Sequence, residues 1–513
     1  MKKAKKLLSV LIAIVLTLSI TIPAFAAETT ESTTAPAPTT YSITIENPVE
    51  GHTYEAYQIF KGDLHGQILS NVKWGNGQTN HPEDEDATEA ADALKVEADA
   101  ERLANELTLG TAAGESTFNA ADGKYVIDGL APGYYLIKDK DNSLSADKDD
   151  AYTKFIVKIV GNATAKPKSA QPTVDKQVLD ETGDAEPGSK DGWGETADHN
   201  INESFKYKLV ANIPNDKDLD AYKTYKLVFH DTMSDGITFE SIESVKVTDI
   251  NGNVTNIDSY TCTATAGQKG GSWTLTIADL VAIISNIKGA QVEVIYNAHL
   301  NENAKLSAKG ENENRASLEY SNNPYADGTG KTAEDIVWVF TFTMDNTKID
   351  GDTNRPLAGA GFRLYDAKGG EVALVYDSVK KAYRPVKPGT DEVGEEMFSA
   401  EGTGEFDIFG IDAGTYTLKE ITVPGGYNKC NDIEIVIEGY HTEDPNNKST
   451  ASCVITKYQN GESTNTFTII NNQGSVLPET GGIGTVIFYV IGGVLVAAAV
   501  ILIITRRRMV AEK

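Results

Sequence analysis

Cysteine is nearly absent: Cys262, Cys430 and Cys453 are the only three in 513 residues. That scarcity excludes a scaffold held by disulfides. A Cys430 to Cys453 bridge would need "DIEIVIEG" and "SCVITKY" to pair in a register that a simple hairpin does not supply. Basic residues are also short, 46 Lys and Arg against 74 Asp and Glu, for a formal net charge of -28. The body of the chain is more acidic still once the lysines near the N-terminus and the arginines near the C-terminus are set aside. Such a surface disfavours nucleic acid and anionic membrane as partners. Histidine occurs seven times (His52, His65, His81, His199, His230, His299, His441) without ligand spacing, and His230 reads as an outward strand residue beside Asp231. Neither a phosphate-binding glycine loop nor G-x-S-x-G occurs. In "DKDNSLSADKDD", Asp139, Asp141, Ser143 and Asp150 approach calcium-loop offsets, but Leu144 stands where the sharp turn needs glycine. The expectation is no metal, no cofactor and no enzyme.

Long apolar runs are confined to the two ends. Residues 1–26 carry Lys2, Lys3, Lys5 and Lys6, then "LLSVLIAIVL", then Ala24, Phe25 and Ala26 as a small-x-small cleavage site, the pattern of a secretory signal peptide. Residues 27–40, "AETTESTTAPAPTT", form a Thr- and Pro-rich flexible leader. Near the other end, "LPETGG" precedes an apolar span over 483–505, long enough to cross a bilayer as a helix. Residues 506–513 begin with Arg506, Arg507 and Arg508, a cationic flank that stays in the cytoplasm. This combination resembles the sorting signal of Gram-positive surface proteins. The resemblance implies that a sortase reads Leu477, Pro478, Glu479, Thr480 and Gly481 and cuts after Thr480, so that the mature chain runs from about Ala27 to Thr480.

Between the ends, most segments alternate as short strands separated by Gly, Asn and Asp turns. The first block, 41–168, has "YSITIE", "KYVIDGL", "GYYLIKD" and "KFIVKIV", with one helix expected in "EDATEAADALKVEADAERLANEL". The second, 169–334, has "FKYKLVANI", "YKLVFHD", "ESVKVTDI", "WTLTI" and "QVEVIYNAHL". The third, 335–474, has "VWVFTFTM", "FRLYD", "GTYTLKEITV", "DIEIVIEG" and "FTII". The fold class is all-β: tandem immunoglobulin-like sandwiches in an elongated chain.

Side chains alternate faces with period two, so parity identifies polar residues on buried faces. Lys176 shares a face with Val174 and Val178, Asp231 with Leu227 and Phe229, and Asn314 with Ala316, Leu318 and Tyr320. The third block repeats this. Lys348 continues the parity of Trp338, Phe340 and Phe342; Glu420 that of Tyr416 and Leu418; Asn471 that of Phe467 and Ile469. Unpaired buried charge is costly, so each triple is either an ion pair completed by an amide or a reactive group. In the reactive reading, burial favours a neutral lysine amine, which attacks the Asn side-chain carbonyl while a carboxylic acid moves protons. Proximity supplies the rate, and no cofactor is required.

Here the chain resembles the sortase-assembled major pilins of Gram-positive bacteria over nearly its whole length. "TKIDGDTNRPLAGAGFRLYD", "GTYTLKEITVPGGY" and "FTIINNQGSVLPETGG" are similar to a collagen-adhesin B-type domain, which implies an isopeptide between Lys348 and Asn471 assisted by Glu420. "PTVDKQV", "HDTMSDGITF" and "NRASLEYSNNP" resemble the isopeptide-forming middle domain, which implies Lys176, Asp231 and Asn314. Asn312, Asn322 and Asn323 lie nearby as alternatives to Asn314. "GHTYEAYQIFKGDL" and "APGYYLIKDK" resemble the N-terminal pilin domain, but its first strand has no lysine and Asp139 has no partner to bridge. That domain is expected to be uncrosslinked and the least stable. Lys168 in "KPKS" matches the acceptor lysine for the next subunit, although Lys166 and Ser169 replace the family's usual neighbours; Lys166 is the second candidate. The implied partners are a pilin-polymerising sortase, a housekeeping sortase, further copies of the chain, minor pilins and peptidoglycan. A monomeric wall-anchored adhesin and a basal or tip pilin are the alternatives.

Overall fold

The structure is a computed structural model that describes residues 40–47, 49–81, 86–94, 97–144, 150–166, 171–180, 191–306, 308–324, 327–444, 447–474 and 483–511. Lys168, the LPETG residues 477–481 and the first 26 residues lie outside these segments. The described chain is predominantly strand, with its apolar residues gathered along its length into successive cores.

The first unit sets two sheets face to face. One orders strands Thr117–Asn119, Lys124–Leu130, Tyr41–Glu46 and Ala163–Ala165; the other orders Ile68–Trp74, Tyr54–His65, Gly133–Asp139 and Lys154–Ile159. Alternation buries Ile43, Ile45, Tyr125 and Ile127 between them. Where one helix was expected there are two, Ala87–Ala93 and Glu97–Glu106. Asp86 caps the first by accepting a hydrogen bond from the Thr88 amide at 2.7 Å, and that helix ends at Leu94. Each helix turns its own small apolar face, Ala87, Ala90 and Ala91 or Leu103 and Ala104, onto the outer side of the second sheet.

The second unit is built on one twelve-stranded sheet. Its organiser is the 22-residue strand Leu227–Thr248, which the sequence pattern divides into two. Register shifts between Met233 and Thr238 and again after Phe239 let it bend without stopping. Its first half pairs with Lys269–Ile277 and Glu313–Ser321, its second with Gln291–Leu300. The first strand, Thr173–Leu179, pairs antiparallel with Ser204–Asn212, placing Lys176 opposite Leu209.

The third unit combines a seven-stranded sheet, a four-stranded sheet and a parallel pair, Asn346–Asp350 beside Phe467–Asn471. The run "VWVFTFTM" is two strands, Asp335–Phe340 and Phe342–Met344, which join different sheets. The first of these serves two cores. Val337 and Val339 pack into the second unit while Ile336, Trp338 and Phe340 pack into the third. Alternation therefore welds the two units together. Helix Ile483–Ala511 follows, and its span Val486–Arg508 is the one helix among the described residues long and apolar enough to cross a bilayer.

Candidate functional site

Both triples are assembled inside sandwich cores. Lys176, Asp231 and Asn314 are completely buried although they lie on three separate strands. The register explains the convergence: Asp231 sits opposite Ala316 and Asn314 opposite Met233 on the paired strands, while Lys176 reaches across from the first strand. Lys176 Nζ donates to Asp231 Oδ2 at 2.5 Å and to the Tyr296 hydroxyl at 3.0 Å. That hydroxyl in turn donates to Asp231 Oδ2 at 2.9 Å and accepts from Asn314 Nδ2 at 2.6 Å. Aromatic faces enclose the amine, with Nζ 4.9 Å from the Tyr207 ring centre and 5.3 Å from that of Tyr296.

Electrostatics follow from burial. Desolvation pushes the Lys176 ammonium down from its ordinary value, against the pull of Asp231. The same desolvation pushes the Asp231 carboxyl up, against Lys176 and the Tyr296 hydroxyl. Both directions favour the neutral amine beside the neutral acid. Asp231 Oδ1 and Asn314 Oδ1 are buried without hydrogen-bond partners. A protonated Asp231 has a donor to offer, and the amide oxygen lacks one.

The second constellation uses different geometry. Lys348 lies on the parallel pair opposite Ile469, with Asp350 opposite Asn471. Lys348 Nζ donates to the carbonyls of Ile469 at 3.2 Å and Ile349 at 3.4 Å. Asn471 Nδ2 donates to Glu420 Oε1 at 2.7 Å, and the Cys430 amide donates to Glu420 Oε2 at 2.8 Å. Desolvation lowers Lys348 to about 8, with the Glu420 charge opposing. All three side chains are buried, and Asn471 Oδ1 is again unpartnered.

The alternative asparagines are engaged elsewhere. Asn312 Nδ2 donates to the carbonyls of Lys305 and Val339, and Asn322 Nδ2 to the carbonyl of Asp150 in the first unit. Lys166 is exposed, 3.5 Å from Glu46. The three cysteines are free, so no Cys430 to Cys453 bridge forms; His441, not Cys430, stands opposite Cys453. Asp139 does have a partner: His52, whose Nδ1 lies 2.6 Å from Asp139 Oδ1 and whose Nε2 lies 2.7 Å from Asp150 Oδ2. His230 is half-buried and pairs with Glu319 at 3.0 Å. The sequence reading missed Tyr296 and His52. Tyr296 was signalled by parity with Val292 and Val294, both buried; His52 precedes its strand, where alternation carries no information.

Comparison with known proteins defines the class first. Residues 201–324 match the Gram-positive pilin backbone subunit 2, Cna-B-like domain; residues 343–449 match the SpaA prealbumin-like fold domain; residues 469–510 match the LPXTG cell wall anchor motif. The anchor motif and the apolar helix that follows it mark the chain as a cell-wall-anchored surface protein. The matched domains are those of a backbone pilin, a structural subunit of a pilus shaft. Among solved structures, the T6 backbone pilin of Streptococcus pyogenes is 16% identical, with a TM-score of 0.48, over 86% of this chain and 100% of that one. The major pilin SpaD of Corynebacterium diphtheriae is 18% identical, with a TM-score of 0.46, over 86% and 100%. The pilus 2b backbone protein of group B streptococcus is 24% identical, with a TM-score of 0.39, over 60% and 99%. No curated protein matches the chain.

Proposed function

We propose that this shaft subunit is crosslinked twice within itself and once to each neighbour. The observation that carries the internal part is the repetition, in two unrelated geometries, of a fully buried lysine, acid and asparagine. Lys176 Nζ attacks Asn314 Cγ, forming the Nζ–Cγ bond. Asp231 gives its proton toward the amide and recovers one from the lysine nitrogen. The Cγ–Nδ2 bond breaks, and Nδ2 leaves as ammonia. Lys348 and Asn471 react in the same way with Glu420 as the proton carrier. Tyr296 holds the lysine, acid and amide of the first site in one hydrogen-bonded ring.

Between subunits, a polymerising sortase cleaves after Thr480 and transfers the acyl group to Lys168 of another copy. A housekeeping sortase attaches the finished fibre to peptidoglycan, and minor pilins decorate it. Removal of residues 1–26 on secretion leaves the domains 41–168, 169–334 and 335–474 as the shaft repeat. The internal part is tested by intact mass: the mature chain should weigh less than its sequence by two ammonia molecules, roughly 17 Da each. An unshifted mass overturns both internal bonds.

A further inference from the structure

Between the second and third units lies a polar cluster that the crosslinks do not use. Asp180 follows strand Thr173–Leu179, Asp198 ends strand Thr196–Asp198, and His441 lies on strand Ile433–Glu443 of the third unit. All three side chains are fully buried. His441 Nε2 faces Asp198 Oδ2 at 3.3 Å and Asp180 Oδ2 at 3.6 Å. Yet neither His441 Nε2 nor Asp198 Oδ2 has a hydrogen-bond partner. The same molecule shows what a buried histidine clasped by two aspartates looks like when a proton joins them: the His52 contacts are 2.6 and 2.7 Å. The His441 contacts are too long and too poorly directed for that.

They fit another arrangement. Ligand atoms on a tetrahedral ion lie about 1.6 bond lengths apart, so bonds of about 2.0–2.2 Å place them about 3.3–3.6 Å from one another. One ligand atom from each of these residues lies within 4.8 Å of the others. The far side of the ring supports the same reading. His441 Nδ1 is 2.8 Å from the Thr196 hydroxyl, and donating there leaves the Nε2 lone pair directed at the two carboxylates. Phe340 stacks on the ring at 5.7 Å and fixes its plane. Burying two carboxylates beside one imidazole without a cation is costly, and a divalent ion offsets that cost.

We propose that His441 Nε2, Asp198 Oδ2 and Asp180 Oδ2 bind one divalent transition-metal ion of the zinc type, joining the second unit to the third. A three-residue nitrogen and oxygen set at this spacing suits zinc or cobalt, whereas calcium takes six to eight oxygens at 2.3–2.6 Å. The ion joins two units that the internal amide bonds leave covalently separate except for the chain itself. Because the site is sealed, it fills as the protein folds. The binding set is separate from both crosslinks and stands whether or not they form.

The test is to produce the full chain in medium supplied with zinc or with cobalt, purify it in detergent, and measure metal content and visible absorption. One equivalent of zinc per chain is expected, and the cobalt form should show the intense d–d bands of a tetrahedral site. D198N and H441Q should bind zinc more weakly by more than the roughly 10–100-fold that loss of an outer partner costs, and T196V by about that lesser amount. Wild-type chain without zinc, cobalt bands of octahedral type, or D198N and H441Q retaining wild-type zinc would each overturn the proposal. The wild-type measurements decide even where a variant fails to fold.

Discussion

At the residue scale, the acid and the phenol should be separable from the bond-forming pair. K176A and N314A remove a reactant, so each chain should lose one ammonia instead of two. D231A keeps both reactants but removes the proposed proton carrier; its middle domain should retain the unreacted mass. Y296F keeps the acid and loses only the shared hydroxyl. Its crosslinking should slow by about 10²-fold, the low end of what a positioned proton-transfer group contributes, and mass spectra taken over time after refolding would show it. Full crosslinking of D231A at the wild-type rate would contradict the assigned role. How much of this was legible in the sequence follows from geometry. Lys176, Asp231, Asn314, Glu420 and Asn471 share a strand with the apolar residues whose parity places them inward, whereas the count for Lys348 runs across three strands, Asp335–Phe340, Phe342–Met344 and Asn346–Asp350. Tyr296 has the same parity, but a tyrosine among valines reads as ordinary core until the three polar atoms around its hydroxyl are seen together. Contacts across the sheet depend on register, which a single strand's pattern does not contain.

At the scale of elements, a charged clasp ties three segments of the first unit together. His52 leads into strand Tyr54–His65, Asp139 ends Gly133–Asp139, and Asp150 precedes Lys154–Ile159. Burial alone would lower the imidazolium, but hydrogen bonds and charge from Asp139 and Asp150 outweigh it and raise His52 to about 9. Tyr54 stacks on the ring, Tyr125 meets its edge, and Asn47 donates to Asp150. A raised pKa means the folded state binds this proton more tightly than the unfolded chain. The stabilisation is complete below about pH 6.5 and is lost as pH rises through about 9, a change on the order of 3 kcal/mol. The first unit of the wild type should therefore melt progressively lower between those limits, and H52Q should flatten that dependence; an unchanged slope in H52Q would exclude the clasp as its source. The helical stretch was legible, but its division into two helices and the single 22-residue strand were not. A bulge that bends a strand looks like a turn in the sequence, and "SDG" supplies every turn signal without ending Leu227–Thr248.

At the scale of the molecule, the chain is a row of sandwiches ending in a sorting signal and an apolar helix. Closing a loop of over a hundred residues contributes on the order of 5 kcal/mol by the chain-entropy argument. The mechanical effect is larger: a bond from first to last strand carries tension past the rest of its domain. The first unit contains neither of the two proposed lysine–asparagine pairs. Its end is held by Gln171, which donates to Asp150 at 2.7 Å, and by the Tyr152 amide donating to the Asn322 carbonyl at 2.7 Å. We propose that copies of this chain are joined head to tail through Thr480 and Lys168. The direct measurement is tandem mass spectrometry of the high-molecular-weight, SDS-resistant ladder from the cell-wall fraction. A branched peptide with the Thr480 carbonyl on Lys168 Nζ is expected, and no ladder from K168A. A single monomer band, or a branch at Lys166 with Lys168 unmodified, would contradict it.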